Sequence, residues 1–352
     1  MDARRQTARD VRAQSDRIVR AALDRQRERW PGLFDSFSAS QMENTVKDTG
    51  YHVSFLAAAL WTNEQIIFDD YVRWVRVLFE NLRIPVEWLV GSLADIRDVL
   101  PELVSPQVAR DAAAVIDAAL LRMNDPGDEM PTHIQPEAPL SELAMRYLSA
   151  VLGGDRADAL QAVLSAAESG VPIVDLYRHV LEPAQLELGR LWHMNAITVA
   201  QEHYATAVTQ MVMAQLYRFM FTGRHSGGVL VAACVGDELH ELGMRMVADH
   251  FEMAGWDTHF VGANTPVGAI VDLAAQRGAD IVALSATMTY HVPEVAETID
   301  ALRADERTSA MPVLVGGYLF NLVPDLYLQV GADGYAPDAR QAIETAKRLV
   351  KA

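Results

Sequence analysis

The residues best suited to chemistry lie in the last third of the chain. Glu238-Leu239-His240-Glu241-Leu242-Gly243 follows an apolar run and puts a histidine in a loop, with a carboxylate two residues before it and a glycine three after. A carboxylate there can hydrogen-bond one ring nitrogen of His240, fixing the tautomer and raising the basicity of the other nitrogen, which prepares a histidine for metal ligation. Forty-one residues separate Gly243 from Ser285-Ala286-Thr287, and twenty-eight more separate Thr287 from Gly316-Gly317. Small residues at Ser285, Thr287, Gly316 and Gly317 leave a slot in which a ligand can approach the backbone closely.

A second constellation lies upstream, from Leu191-Trp192-His193 through Asn195 and Thr198 to Gln201-Glu202-His203. On one continuous helix Trp192 and Glu202 would stand about 15 Å apart and on different faces. A break is therefore expected. Asn195 is a suitable helix terminator, and Thr198 with Gln201 three residues on forms a capping box that starts a new helix. Such a turn brings Trp192 and His193 beside Glu202 and His203.

The first set resembles the cobalamin-binding fingerprint Asp-x-His-x-x-Gly, Ser-x-(Leu/Thr), Gly-Gly in residue type and spacing, with Glu238 where many families have aspartate. Three elements in register are a specific signal. The resemblance implies that His240 is the lower cobalt ligand and that Glu238, Gly243, Ser285, Thr287, Gly316 and Gly317 surround the cofactor and its displaced nucleotide tail. The run Trp192-x9-Glu202-His203 is similar to the cap of the adenosylcobalamin light sensors, best known as the light-sensing half of carotenoid-synthesis repressors. Carried over, Trp192 covers the adenosyl group, Glu202 binds its polar edge, His203 contacts the cap, and His193 takes the upper cobalt position after light. An alternative remains in a corrinoid shuttle protein for a methyltransferase or mutase. A scaffold that senses cofactor level without light is a third.

These residues need elements to position them. From residue 228 onward apolar strands alternate with helices, with strands expected at 229–234, 258–261, 281–285, 313–315 and 333–335 and a closing helix at 337–351. That alternation predicts a flavodoxin-like, Rossmann-type parallel sheet with ligands at the carboxyl ends of its strands. Helical segments at 141–153, 155–168, 172–192 and 198–221, joined by short breaks, predict a four-helix bundle. Residues 1–124 read as a further all-helical domain, with a globin-like arrangement as one form. The expected division is 1–124, a proline-rich extended linker at 125–140, the bundle at 141–225 and the α/β domain at 226–352.

The N-terminal domain carries Trp30, Trp61, Trp74 and Trp88 with many other aromatic residues. A helical domain of this length and texture ahead of a cobalamin sensor resembles the photocobilins, which bind both adenosylcobalamin and biliverdin. A bilin needs aromatic walls, cations for its propionates and polar groups at the pyrrole nitrogens. Asp48, Tyr51, His52 and Phe55 share one helix face, Arg73 and Arg76 lie three apart and could hold a propionate, and Tyr71 and Trp74 could supply wall. The plainer alternative makes these aromatic residues core and the arginines ion-pair partners.

The formal charge is −17, from 47 acidic and 30 basic residues, and such a field repels nucleic acid and anionic membranes. The single cysteine, Cys234, excludes an intrachain disulfide and leaves the N-terminal domain no thiol for a bilin. A cytoplasmic protein without enzymatic activity is expected. It would form a homo-oligomer, dimer or tetramer, that changes with light and signals to a downstream protein. The first 29 residues hold nine arginines and five acids and few large apolar residues, so they read as a solvated helix or a partner-contact arm.

Overall fold

The computed structural model describes residues 3–123, 130–220 and 227–351. Two compact units divide the chain: Met1–Asp128 with Met288–Pro293, and Glu129–Thr287 with Glu294–Ala352. The short insert at Met288–Pro293 belongs with the N-terminal helices although it follows directly on Thr287. Residues 124–129, where the linker was expected to begin, lie outside the described residues.

The first unit is helical, built from α1 (Ala3–Ala13), α2 (Ser15–Arg29), α3 (Pro31–Phe34), α4 (Ala39–Thr62), α5 (Gln65–Leu82), α6 (Val86–Leu103) and α7 (Pro106–Arg122). Ser38 and Gln41 form a reciprocal capping box that starts α4, and Asn63 ends it in the left-handed region at φ 58°. On α5, Ile67, Phe68, Tyr71, Val72 and Val75 are buried at helical spacing. The first 29 residues are not a solvated arm. Ala8, Val11, Ile18, Val19, Ala22 and Leu23 are buried, α1 packs on α4, and α2 packs on α4 and α6. A stripe of small and aliphatic residues is narrow enough to seat a helix closely, and Arg5 lies over the Trp61 ring at 4.5 Å. The Arg29 guanidinium reaches Asp95 at 2.5 Å, and Gln26 Nε2 donates to Ser92 Oγ in the interior.

In the second unit, α8 (Ser141–Leu152), α9 (Arg156–Glu168), α10 (Ile173–Leu176), α11 (Glu182–His193) and α12 (Val199–Leu216) share one apolar core with Tyr147, Tyr177, Leu181 and Val212 fully buried. The segment expected as one helix over 172–192 is interrupted. Residues Tyr177–Leu181 form a wider π turn, with the Glu182 N–H bonded to the Tyr177 carbonyl. Pro183 has no N–H for the His179 carbonyl, so the α pattern cannot run through it. The described part of the expected linker is docked rather than free: Ile134 is buried in this core, and the His133 N–H donates to Glu187 Oε2 at 2.9 Å.

The rest of this unit is a parallel sheet, β1 (Val229–Cys234), β2 (Asp257–Gly262), β3 (Ile281–Ser285), β4 (Val313–Gly316) and β5 (Gly334–Tyr335), in the order β2-β1-β3-β4-β5. The helices between and after the strands are α13 (Glu241–Met253), α14 (Val267–Arg277), α15 (Val292–Ala304), α16 (Tyr318–Leu322), α17 (Leu326–Val330) and α18 (Ala339–Leu349). Leu230, Ala232 and Cys234 of β1 pack with Met244, Ala248 and Phe251 of α13 and Ala342 and Ala346 of α18. Val231 and Ala233 point the other way and are equally buried, so both faces of the sheet are covered. Among the described residues no helix is long and apolar enough to cross a membrane.

Candidate functional site

The strand order reverses between β1 and β3, and the loops at the carboxyl ends of those strands open a crevice there. The loop after β1 carries His240. Asp237, at φ 62°, turns the chain so that Glu238 is driven inward and His240 outward. Glu238 is fully buried and both of its carboxylate oxygens are engaged. Its Oε1 accepts from His240 Nδ1 at 2.6 Å and from the His240 N–H at 2.9 Å, while Oε2 accepts from the Thr287 N–H at 2.8 Å. One buried acid therefore ties the histidine loop to the Ser285–Thr287 turn. The Glu238 hydrogen bond raises the His240 pKa, burial opposes it, and the Glu238 and Glu202 charges add to the rise. With Nδ1 engaged, Nε2 is the nitrogen presented outward on a side chain that is 58% exposed.

The bundle supplies the facing wall. α11 closes with the Ala196 N–H on the Leu191 carbonyl and Asn195 at φ 53°, and Thr198 with Gln201 caps α12. This turn brings Trp192, Glu202 and His203 to a cleft of about 770 Å³ that is also lined by His240, Gly243, Ser285, Thr287, Gly316 and Gly317. Glu202 is held on both oxygens, by Thr206 Oγ1 at 2.8 Å and by His203 Nδ1 at 2.5 Å. The bundle is joined to α13 and its approach by Tyr177 donating to Asp249 and Gln210 donating to Glu241. His193 does not line the cleft. It is 4% exposed, one residue past Trp192.

The glycines differ in their reasons. Nothing stands within 4 Å of a Cβ built on Gly243, so its smallness leaves open space at the cleft. Gly317 has φ 96° and a Cβ there would lie 2.4 Å from the Ala286 carbonyl, so the backbone itself requires glycine between β4 and α16. The same residue serves the slot and the fold. Cys234 is buried on β1, and burial first, then the Glu238 and Glu241 charges, push its thiol up to about 12, which leaves it inert.

The first unit contains a polar aromatic cluster. Phe55 of α4 stacks on Tyr71 of α5 with centroids 3.7 Å apart, and the Tyr71 hydroxyl meets His52 Nδ1 at 2.6 Å. Burial lowers the His52 pKa to about 4 and raises that of Tyr71, so the pair is held by a hydrogen bond between neutral groups. Asp48, one turn before His52, has its pKa raised by burial against the pull of Lys47. Tyr290, from the Met288–Pro293 insert, packs edge-on against Phe55 at 5.1 Å and beside Tyr51 at 5.9 Å, with His291 buried next to it. The sequence reading missed Tyr290 and His291; an aromatic–histidine pair directly after the Thr287 turn was the available signal. The structure does not gather Trp74, Arg73 and Arg76 with Tyr71. Trp74, although only three residues from Tyr71, is 40% exposed, Arg76 is buried and bonded to Glu80, and Arg73 Nε donates to the Asp69 carbonyl.

Residues 228–344 match a family model described as a B12 binding domain, and residues 143–217 match a second model of the same description. Residues 1–123 match a model described as phycobilisome protein. The dimethylamine corrinoid protein 1 of Methanosarcina acetivorans is 26% identical over 198 residues, covering 55% of this chain and 91% of that protein. The HTH-type transcriptional repressor CarA of Myxococcus xanthus is 31% identical over 188 residues, covering 53% of this chain and 61% of the repressor. Among solved structures, the monomethylamine corrinoid protein of Methanosarcina barkeri shares the fold, with a TM-score of 0.53 at 19% identity over 60% of this chain and 99% of that one. Fold, cleft and these matches define a cobalamin-binding module. The chain is a cobalamin-binding protein with a further helical unit at its N-terminal end.

Proposed function

We propose that the protein is a light receptor that binds adenosylcobalamin with His240 beneath the metal and holds biliverdin without a covalent bond. The observation that carries this reading is the lining of the cleft: an indole, a carboxylate and an imidazole from Trp192, Glu202 and His203 face the same space as His240. The residues fit the cofactor. His240, with its Nδ1 hydrogen-bonded to Glu238, would hold the cobalt through Nε2, and the open space at Gly243 suits a ligand lying along the loop.

When bound, adenosylcobalamin supplies a cobalt–carbon bond that light breaks. Trp192 covers the upper side and excludes water, and Glu202 accepts hydrogen bonds from the polar edge of the adenosyl group. Loss of the contacts to Trp192 and Glu202 is the differential interaction that moves the bundle between two arrangements. His193 sits on the last turn of α11 and, if that turn rotated after light, could bind the metal. The readout is a change of homo-oligomeric state, between forms such as dimer and tetramer, passed to a partner protein in the cytoplasm. No reaction is catalysed.

Biliverdin binding is supported by the phycobilisome match over residues 1–123 and by the Asp48, Tyr51, His52, Phe55 and Tyr71 face. The sole cysteine is Cys234, so the bilin would be held by stacking and polar contacts. A second reading, a corrinoid carrier serving a methyltransferase or mutase, is favoured by the similarity to the dimethylamine corrinoid protein. Glu202 separates the two, since a methyl group offers it no donor. The deciding experiment is reconstitution with adenosylcobalamin and biliverdin, followed by spectra and solution mass in the dark and after green or red light. A spectrum and mass indifferent to light overturn the receptor; absence of red absorbance overturns the bilin.

A further inference from the structure

Glu202 does not stand alone at the cleft. Thr206, one turn further along α12, donates to its Oε1 at 2.8 Å and also lies 3.1 Å from Gln185 Oε1 on α11. Gln185 Nε2 in turn donates to Thr209 Oγ1 at 2.6 Å, and the Tyr147 hydroxyl of α8 meets the same oxygen at 2.7 Å. Thr209 passes its own proton to the Ala205 carbonyl at 2.9 Å. Its oxygen thus accepts twice and donates once, which fills a hydroxyl's capacity. That arrangement fixes the Gln185 amide with its nitrogen inward and its oxygen toward Thr206. Within this network the Thr206 hydroxyl has two acceptors, the Glu202 carboxylate at 2.8 Å and the Gln185 amide oxygen at 3.1 Å, and the nearer, charged one takes its proton.

Thr209 and Tyr147 are both fully buried, so the chain of bonds runs from the bundle core to the cleft wall across three helices. A buried polar network of this kind rigidifies what it holds when every member is satisfied. We propose that Thr206 and Gln185, anchored through Thr209 to Tyr147, are positioning residues that aim the Glu202 carboxylate at the cleft and so make the bundle select a cobalamin whose upper ligand is a nucleoside rather than an alkyl group. The inference rests on the adenosyl reading above and adds to it that selectivity resides partly in the groups that hold Glu202. Thr206 gives Glu202 Oε1 one charge-assisted bond and keeps it while a nucleoside edge binds the carboxylate's remaining lone pairs, so the carboxylate meets the ligand already oriented.

The test compares the dark affinities of the full chain for adenosylcobalamin and methylcobalamin by absorbance titration. In Thr206→Val the ratio favouring adenosylcobalamin should fall about tenfold, the size expected for one hydrogen bond to a charged group. Thr206→Ser should restore it to within about twofold. Tyr147→Phe, which keeps the buried ring and removes the far end of the chain, should lower the ratio in the same direction by roughly threefold, and less than additively when combined with Thr206→Val. An unchanged ratio in Thr206→Val overturns the inference while leaving the adenosyl reading intact, and so does a loss of both affinities together that Thr206→Ser does not reverse. Strict additivity with Tyr147→Phe overturns the extension of the chain to the core. A natural sequence that prefers neither cobalamin overturns both the adenosyl reading and this inference.

Discussion

At the scale of single residues, Glu238 decides most. It is buried, and its carboxylate accepts from both the ring and the backbone of His240 and from the Thr287 N–H. Replacing it by alanine frees the imidazole to rotate and leaves the Thr287 N–H without its acceptor. We expect Glu238→Ala to weaken cobalamin binding by about 10- to 100-fold, measured by absorbance titration, and Glu238→Asp to weaken it much less. His52 yields a pH dependence. Its folded pKa is depressed from 6.5 to about 4 by burial, so above 6.5 it is neutral in both folded and unfolded states and contributes nothing. As pH falls from 6.5 towards 4 the unfolded state takes the proton first, and stability is lost across that window by roughly 3 kcal/mol at most. Denaturant unfolding of the N-terminal unit at pH 7 and pH 4.5 checks this. A His52→Gln variant should show a flatter pH dependence, and an equal fall in both proteins would mean that another group is responsible. His240 was legible in the sequence because a carboxylate two residues away is a local relation. The burial of His193 was not, since neighbouring helix positions share their spacing whether they face a cleft or a core.

At the scale of elements, two turns carry the site. The Asn195–Thr198 turn was readable because its capping box is written in side chains three residues apart. The strands were readable for the same reason, as β-branched runs bounded by turn residues. The π turn at Tyr177–Leu181 depends on what the neighbouring helices accept, and Pro183 alone does not specify it. The burial of α1 and α2 was hidden because alanine and valine stripes carry little hydrophobic signal; their value lies in close approach, which needs a partner surface. The second turn joins β4 to α16 at Gly317. There we expect Gly317→Ala to destabilise the second unit by about 3 kcal/mol or more, from the φ of 96° and the 2.4 Å approach to the Ala286 carbonyl, as measured by denaturant unfolding. Gly243→Ala, with nothing within 4 Å, should leave stability nearly unchanged and act on cobalamin affinity instead.

At the scale of the whole molecule, the chain is two units whose sequence boundaries are not simple, because Met288–Pro293 belongs with the N-terminal helices. The cleft is lined wholly by residues of the second unit. Cobalamin at a hundred times its dissociation constant should stabilise that unit by about 2.7 kcal/mol. Hydrogen exchange should place the added protection on α11–α12, the His240 loop and the Ser285–Thr287 turn. Protection spread evenly over α4 and α5 as well would mean that the units respond as one. The sequence by itself determined the parallel sheet, the histidine with its carboxylate, and the break between Trp192 and Glu202, since each is written in relations a few residues long or in a repeating period. Tertiary structure alone decided that Trp192, Glu202 and His203 line the same cleft as His240, that His193 does not, and that Tyr290 joins Tyr51 and Phe55. Those outcomes depend on how helices and strands distant in sequence pack, and packing is a property of matched surfaces that no local spacing records.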